Sequence, residues 1–319
     1  MGQDQFKIIW ALDAFEDSPE VFGNSIRLLR NLASTLAATV EPVYVLGPKQ
    51  LNLSFDLTHT LSETYLPAAR KSLAHRLKSA EISHLQPAHV IVNHKSSLRE
   101  SASLLLKYAE TRGASMIVTG THARQGLSRL LLGSFTEELM LQSPLPLVSI
   151  GSQGPNLPKG ESVKKILFPT DLQEGAFPVF QRLVDLAEKT RAKITLLHTI
   201  PKPLAPAFQS GVYLLSGAWV PYQEFPAEEQ AAEARVKSQI AEWFARVKDR
   251  TVPIESVIET QAVSITASIF EHADREPSTL IALAAQSGRF ASTVLGSVTR
   301  QVVRGASSPV WVCRAEPLA

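Results

Sequence analysis

Short apolar runs alternate along the chain with stretches of helical spacing, and the whole alternation occurs twice. Phe6-Lys7-Ile8-Ile9-Trp10-Ala11-Leu12-Asp13 is an apolar run closed by an acid, and Lys165-Ile166-Leu167-Phe168-Pro169-Thr170-Asp171 repeats it. Runs this short and apolar predict strands buried on both faces. After Asp13, Ser18-Pro19 offers a cap and a proline for the first helical position, and Leu29, Leu32, Ala33 and Leu36 fall on one helical face. Val179, Leu183 and Leu186 have the same spacing after Asp171. A second strand follows in each half, at 40–46 and 194–200. Strand, helix, strand is a parallel crossover unit.

The order then continues in step. A long helix is predicted at about 61–85 and again at about 227–247, then a strand at 89–93 and 254–259. A shorter helix follows at 97–111 and 264–273, and a fourth strand at 116–119 and 280–283. Each half closes with Gly-Ser, a helix and a final strand, at 145–150 and 309–313. The expected fold class is therefore α/β, with two consecutive doubly wound parallel sheets of five strands each. Gly151-Ser152-Gln153-Gly154-Pro155-Asn156-Leu157-Pro158-Lys159-Gly160 has linker composition, which divides the chain into 1–151, a linker at 152–163, and 164–319. Residues 201–226 break the symmetry, with five prolines among Phe208, Tyr213, Trp219, Tyr222 and Phe225. A lid, a dimer contact and a loop packed on its own domain all fit that composition, and the last needs least.

Composition narrows the function. Forty-five per cent hydrophobic and 19% charged residues in 319 suit real cores, and 32 basic against 30 acidic side chains are scattered rather than clustered. Neither nucleic acid nor an anionic membrane is called for. No apolar run approaches the roughly 20 residues of a spanning helix, and Met1 to Phe6 lacks the pattern of a secretory leader. The single cysteine, Cys313, sits in a strand-like run and reads as a buried thiol, in keeping with a reducing cytoplasm.

The candidate chemistry lies after the fourth strand of the first half. Gly120-Thr121-His122-Ala123-Arg124-Gln125-Gly126-Leu127-Ser128-Arg129-Leu130-Leu131-Leu132-Gly133-Ser134-Phe135-Thr136 stands where open α/β sheets bind ligands, beyond a strand's carboxyl end and before a helix. Small residues at Gly120, Ala123, Gly133 and Ser134 admit an anion close to the backbone, and Arg124 and Arg129 add charge. The pattern is not a Walker loop, because no Gly-Lys-Ser or Gly-Lys-Thr follows.

This loop resembles the universal stress protein signature, in which Gly, two residues, Gly, nine residues and then Gly-Ser or Gly-Thr wrap ATP. Gly120, Ala123 and Gly133-Ser134 match its spacing without insertion, with Ala123 in place of the second glycine. The resemblance implies two Rossmann-like or flavodoxin-like sheets forming an internal pseudo-dimer through the last strands. It implies that Asp13 faces the nucleoside, that the backbone near Leu46 meets adenine, and that Gly120 and Ala123 turn around ribose and phosphate. Gly133, Ser134, Phe135 and Thr136 would open the phosphate-contacting helix, with Arg124 beside them. In the second half, Asp171, Gly296, Ser297 and Val298 hold the matching positions, but the early glycine is gone and Gln286 stands where the spacing lands. That second site is expected to be altered or empty.

The histidines form no ligand pattern, so a protein-held metal is not expected, and any magnesium would arrive with the nucleotide phosphates. No Gly-x-Ser-x-Gly elbow, triad or acid pair stands out, so catalysis beyond weak hydrolysis is not implied. Two readings follow: a cytoplasmic stress-response protein holding ATP or a related adenine nucleotide in its first repeat, or a nucleotide-free scaffold working through protein contacts. A homodimer is left open.

Overall fold

The structure, a computed structural model, describes residues 5–15, 18–48, 61–121, 133–151, 162–200, 211–213, 219–221, 226–260, 262–277, 279–285 and 295–314. In the first half, β1 (Lys7–Ala11) leads to helix α1 (Pro19–Leu36) and β2 (Thr39–Leu46). A five-residue π-helical turn, Leu61–Tyr65, runs into α2 (Leu66–Leu77) and then β3 (His89–Val92). Helix α3 (Leu98–Thr111), β4 (Met116–Gly120), α4 (Ser134–Gln142) and β5 (Leu147–Ile150) complete it. The second half repeats the order with β6 (Lys165–Pro169), α5 (Phe177–Thr190) and β7 (Lys193–Thr199), then a two-stranded antiparallel pair, β8 (Gly211–Tyr213) and β9 (Trp219–Pro221). It continues through α6 (Pro226–Ala245), β10 (Ile254–Glu259), α7 (Ile265–Asp274), β11 (Thr279–Ala285), α8 (Ser297–Gly305) and β12 (Val310–Arg314).

Among the described residues ten strands make one sheet, in the order β10-β7-β6-β11-β12-β5-β4-β1-β2-β3. Every neighbouring pair is parallel except β12 with β5, which run antiparallel with Trp311 opposite Val148. Each half therefore has the 3-2-1-4-5 order of a doubly wound sheet, and the seam lies where two copies of the last strand meet. Val148 and Trp311 occupy equivalent places in the two halves, so the pseudo-twofold passes through that pair.

Apolar layers cover both faces, and each layer draws on both halves. On one face Trp10, Leu28 and Val148 share a core with Trp311, Phe180 and Trp243. On the other, Leu105 and Leu139 share one with Ile269, Val302 and Val310. The helices begin as their sequences dictate: the Ser18, Ser97 and Ser264 hydroxyls accept from the amides of Val21, Glu100 and Ala267.

Two expectations change. The helix expected to reach about residue 85 stops at Leu77, because Glu81 and His84 take positive φ and Arg30 binds the Ala80 carbonyl at 2.8 Å, turning the chain toward β3. The proline-rich 201–226 segment, for which no strand was expected, carries β8 and β9, and Pro221 ends β9, where an edge needs no donor.

Candidate functional site

Beyond the carboxyl end of β1 the chain turns at once, and Asp13 caps the turn by accepting the Phe15 amide at 2.9 Å. Asp171 does the same beyond β6, accepting from Gln173 at 3.1 Å. The two acids differ in what surrounds them. Over the first turn, Arg76 and Ser72 of α2 donate to the carbonyls of Asp13 and Ala14, both at 2.6 Å. From β2, Tyr44 faces the Asp13 carboxylate. Burial, and then the charge of the nearby Asp13, push the Tyr44 phenol far above its ordinary range, so it keeps its proton. In the second half Asp171 is exposed. The residue equivalent to Tyr44 is His198, whose Nδ1 lies 2.9 Å from the Thr170 carbonyl oxygen.

Leu46 ends β2 with its side chain fully buried, and its carbonyl accepts the Asn93 amide at 2.7 Å. Gly120 ends β4, and its carbonyl accepts the hydroxyl of Thr136 at 3.2 Å. Thr136 is buried, so its side chain ties the first turn of α4 to the strand rather than facing outward. Ala123 and Arg124 lie outside the described residues.

Gly133 is the cap of α4 and Gly296 that of α8, with φ of −56° at both. Neither brings a side-chain acceptor to the first turn, in contrast to the serine-capped helices. The first intrahelical bonds go from Glu137 to the Gly133 carbonyl and from Arg300 to that of Gly296. Ahead of them the amides of the first turn have no intrahelical partner, and the positive end of the helix dipole favours an anion there. Ser134 and Ser297 are exposed there, while Phe135 and Val298 are half-buried against the apolar layer. The φ of −56° is one that any residue adopts, so conformation does not demand glycine at these caps.

Asp13, Leu46, Gly120, Gly133 and Ser134 thus stand along one edge of the sheet, at the carboxyl ends of β1, β2 and β4. Tyr44, Ser72 and Arg76 are the neighbours that sequence reasoning missed. Strand alternation would have turned Tyr44 to the same face as Leu46, whereas the approach of α2 leaves no local signal. Among the described residues, no group of three or more His, Cys, Asp or Glu could hold a metal ion. No described helix is long and apolar enough to cross a membrane.

Comparison with curated proteins returns no match. Among solved structures, a universal stress protein from Archaeoglobus fulgidus DSM 4304 matches over 98% of this chain and 100% of its own, at 15% identity and a TM-score of 0.62. A protein of unknown function from Pseudomonas aeruginosa PAO1 matches over 98% of this chain and 93% of its own, at 13% identity and a TM-score of 0.58. Both likenesses are of fold. The profile of the Universal stress protein family matches twice, over residues 6–150 and 162–314. With that double match laid over two halves of one continuous sheet, the chain belongs to the universal stress protein family, as a tandem member.

Proposed function

We propose that this is a cytoplasmic stress-response protein whose first repeat binds ATP or a related adenine nucleotide without rapid turnover. The observation that carries the reading is the start of α4. Gly133 leaves the first-turn amides uncapped at the sheet edge where Gly120 ends its strand and Asp13 turns, and Ser134 is exposed beside them. Uncapped amides and a helix dipole favour phosphate oxygens. The features that support the reading are those of a binding site, a strand end and a helix start, and at most weak hydrolysis is proposed with them. Occupancy would stabilise the fold by mass action and so report nucleotide level.

One observation favours a second reading, a nucleotide-free scaffold acting through protein contacts. Asp13 already accepts the Phe15 amide and lies against Tyr44, so the acid has its needs met within the chain.

Thermal unfolding with Mg-ATP separates the two. Nucleotide at about 100 times its dissociation constant should add roughly 2.7 kcal/mol to wild-type stability. Gly133→Val, which crowds the cap without straining it, should abolish the gain, and Ser134→Ala should reduce it. Gly296→Val, the same change in the second repeat, should leave it intact. An unshifted wild type at saturating nucleotide would favour the scaffold.

A further inference from the structure

The seam between the repeats is unlike at its two ends. At one end Arg314 donates to the Leu141 carbonyl in the last turn of α4. At the other, the residue equivalent to Arg314 is Gly151, where an added Cβ would lie 3.4 Å from the Ala306 carbonyl oxygen and 3.7 Å from Thr121 Oγ1. The end of α8 therefore abuts the first repeat where its loop leaves β4. Antiparallel pairing of β5 with β12 requires this, since α8 must finish beside the carboxyl end of β5 to enter β12.

Arg304 lies in the last turn of α8. One turn earlier, Arg300 forms an ion pair with Glu137 of α4 at 3.4 Å, so this side of α8 is turned toward the first turn of α4. Glu137, the acid on that facing turn, is thereby taken. The Nε of Arg304 is buried and has no hydrogen-bond partner. The hydroxyls of Ser149 and Ser308 are in the same condition, in residues 2% and 3% exposed. Ser149 alternates with Val148 and shares the face of Leu147, beneath α4 and α8, and it pairs with Val310, two residues after Ser308. Buried polar groups in folded proteins nearly always have partners. Arg304 at the end of α8, Ser308 just before β12 and Ser149 opposite Val310 are thus three buried groups able to donate to an anion.

We propose that Arg304, contributed by the second repeat, is a phosphate-binding residue of the first repeat's nucleotide site, facing the uncapped start of α4. This rests on the reading of that site given above, and it assigns the polyphosphate, rather than the nucleoside, as the part read across the seam. Toward the second repeat's site the equivalent position, contributed by the first repeat, is Leu141, which carries no charge.

The test is calorimetric titration of the full chain with Mg-ATP and with adenosine. Arg304→Leu, which copies the residue already present at position 141, should weaken Mg-ATP by about tenfold or more and change adenosine by less than twofold. Arg304→Lys should recover part of the loss. Thermal unfolding without ligand shows whether each variant keeps its fold. Equal losses for adenosine and Mg-ATP, or none for Mg-ATP, would overturn the assignment while leaving the first-repeat site standing. A wild type that binds neither ligand would overturn both.

Discussion

The two repeats share a frame and differ at its polar positions. Asp13 and Asp171 make the same turn, and Gly133 and Gly296 cap equivalent helices with the same φ. Yet Tyr44 beside Asp13 is replaced by His198, which turns to a carbonyl instead. At the opposite edge, Lys7 donates to the Arg112 carbonyl at 2.9 Å, whereas its equivalent Lys165 is buried against Glu276 at 3.1 Å, with Lys193 sharing the same acid. Apolar positions keep their character because close packing penalises change in volume. Polar positions at strand ends answer to nothing so general, and there the copies have parted. At the seam the divergence has become complementary: Glu137 and Arg300 occupy the same place in the two copies and pair with each other.

Three experiments sharpen this contrast. The largest effect should come from the pseudo-twofold itself, where one copy places Trp311 and the other Val148. Trp311→Ala should cost about 3–5 kcal/mol, measured by urea unfolding, and should lower the stability of both repeats together because each apolar layer spans the seam. Separate transitions, with the first repeat unaffected, would show that the halves fold independently.

A smaller effect is expected from the charged pair. Glu137→Arg sets like charges against each other, and the loss should be about 1 kcal/mol, because both side chains are partly exposed. The double variant Glu137→Arg, Arg300→Glu should restore stability. A double variant no better than the single one would mean that the pair does not couple the copies.

The smallest effect concerns pH. The Tyr44 phenol is held above its unfolded value of about 10, so its contribution to stability is complete below that pH and is lost as pH rises beyond it. Stability of the wild type should therefore fall above pH 10, and Tyr44→Phe should flatten the fall. An unchanged slope in the variant would assign the alkaline loss elsewhere, with Tyr108 the first alternative, pushed up to about 12 by burial and by its bond to Glu41.

The architecture was legible because each strand is an apolar run with breakers at both ends, written twice, so that one copy checked the other. The 254–259 strand matches β10 residue for residue. The helix that stopped at Leu77 was less legible, since its ending depends on Arg30, which reaches the Ala80 carbonyl from α1. Of the expected ligand residues, Gly133 caps α4 and Ser134 opens it, as their Gly-Ser pattern before a helix implied. Thr136 proves to have a tethering bond that spacing could not reveal, because its partner Gly120 lies 16 positions earlier. Arg304 could not be read from the first repeat's loop at all.

That antiparallel joint has one more consequence. Because both halves of the seam are carried on one polypeptide, their encounter is intramolecular and its effective concentration is set by chain length. Diluting the protein cannot dissolve the joint, as it would dissolve a pairing between separate subunits. With β5 and β12 committed to each other, β3 and β10 are the outer margins of the sheet among the described strands.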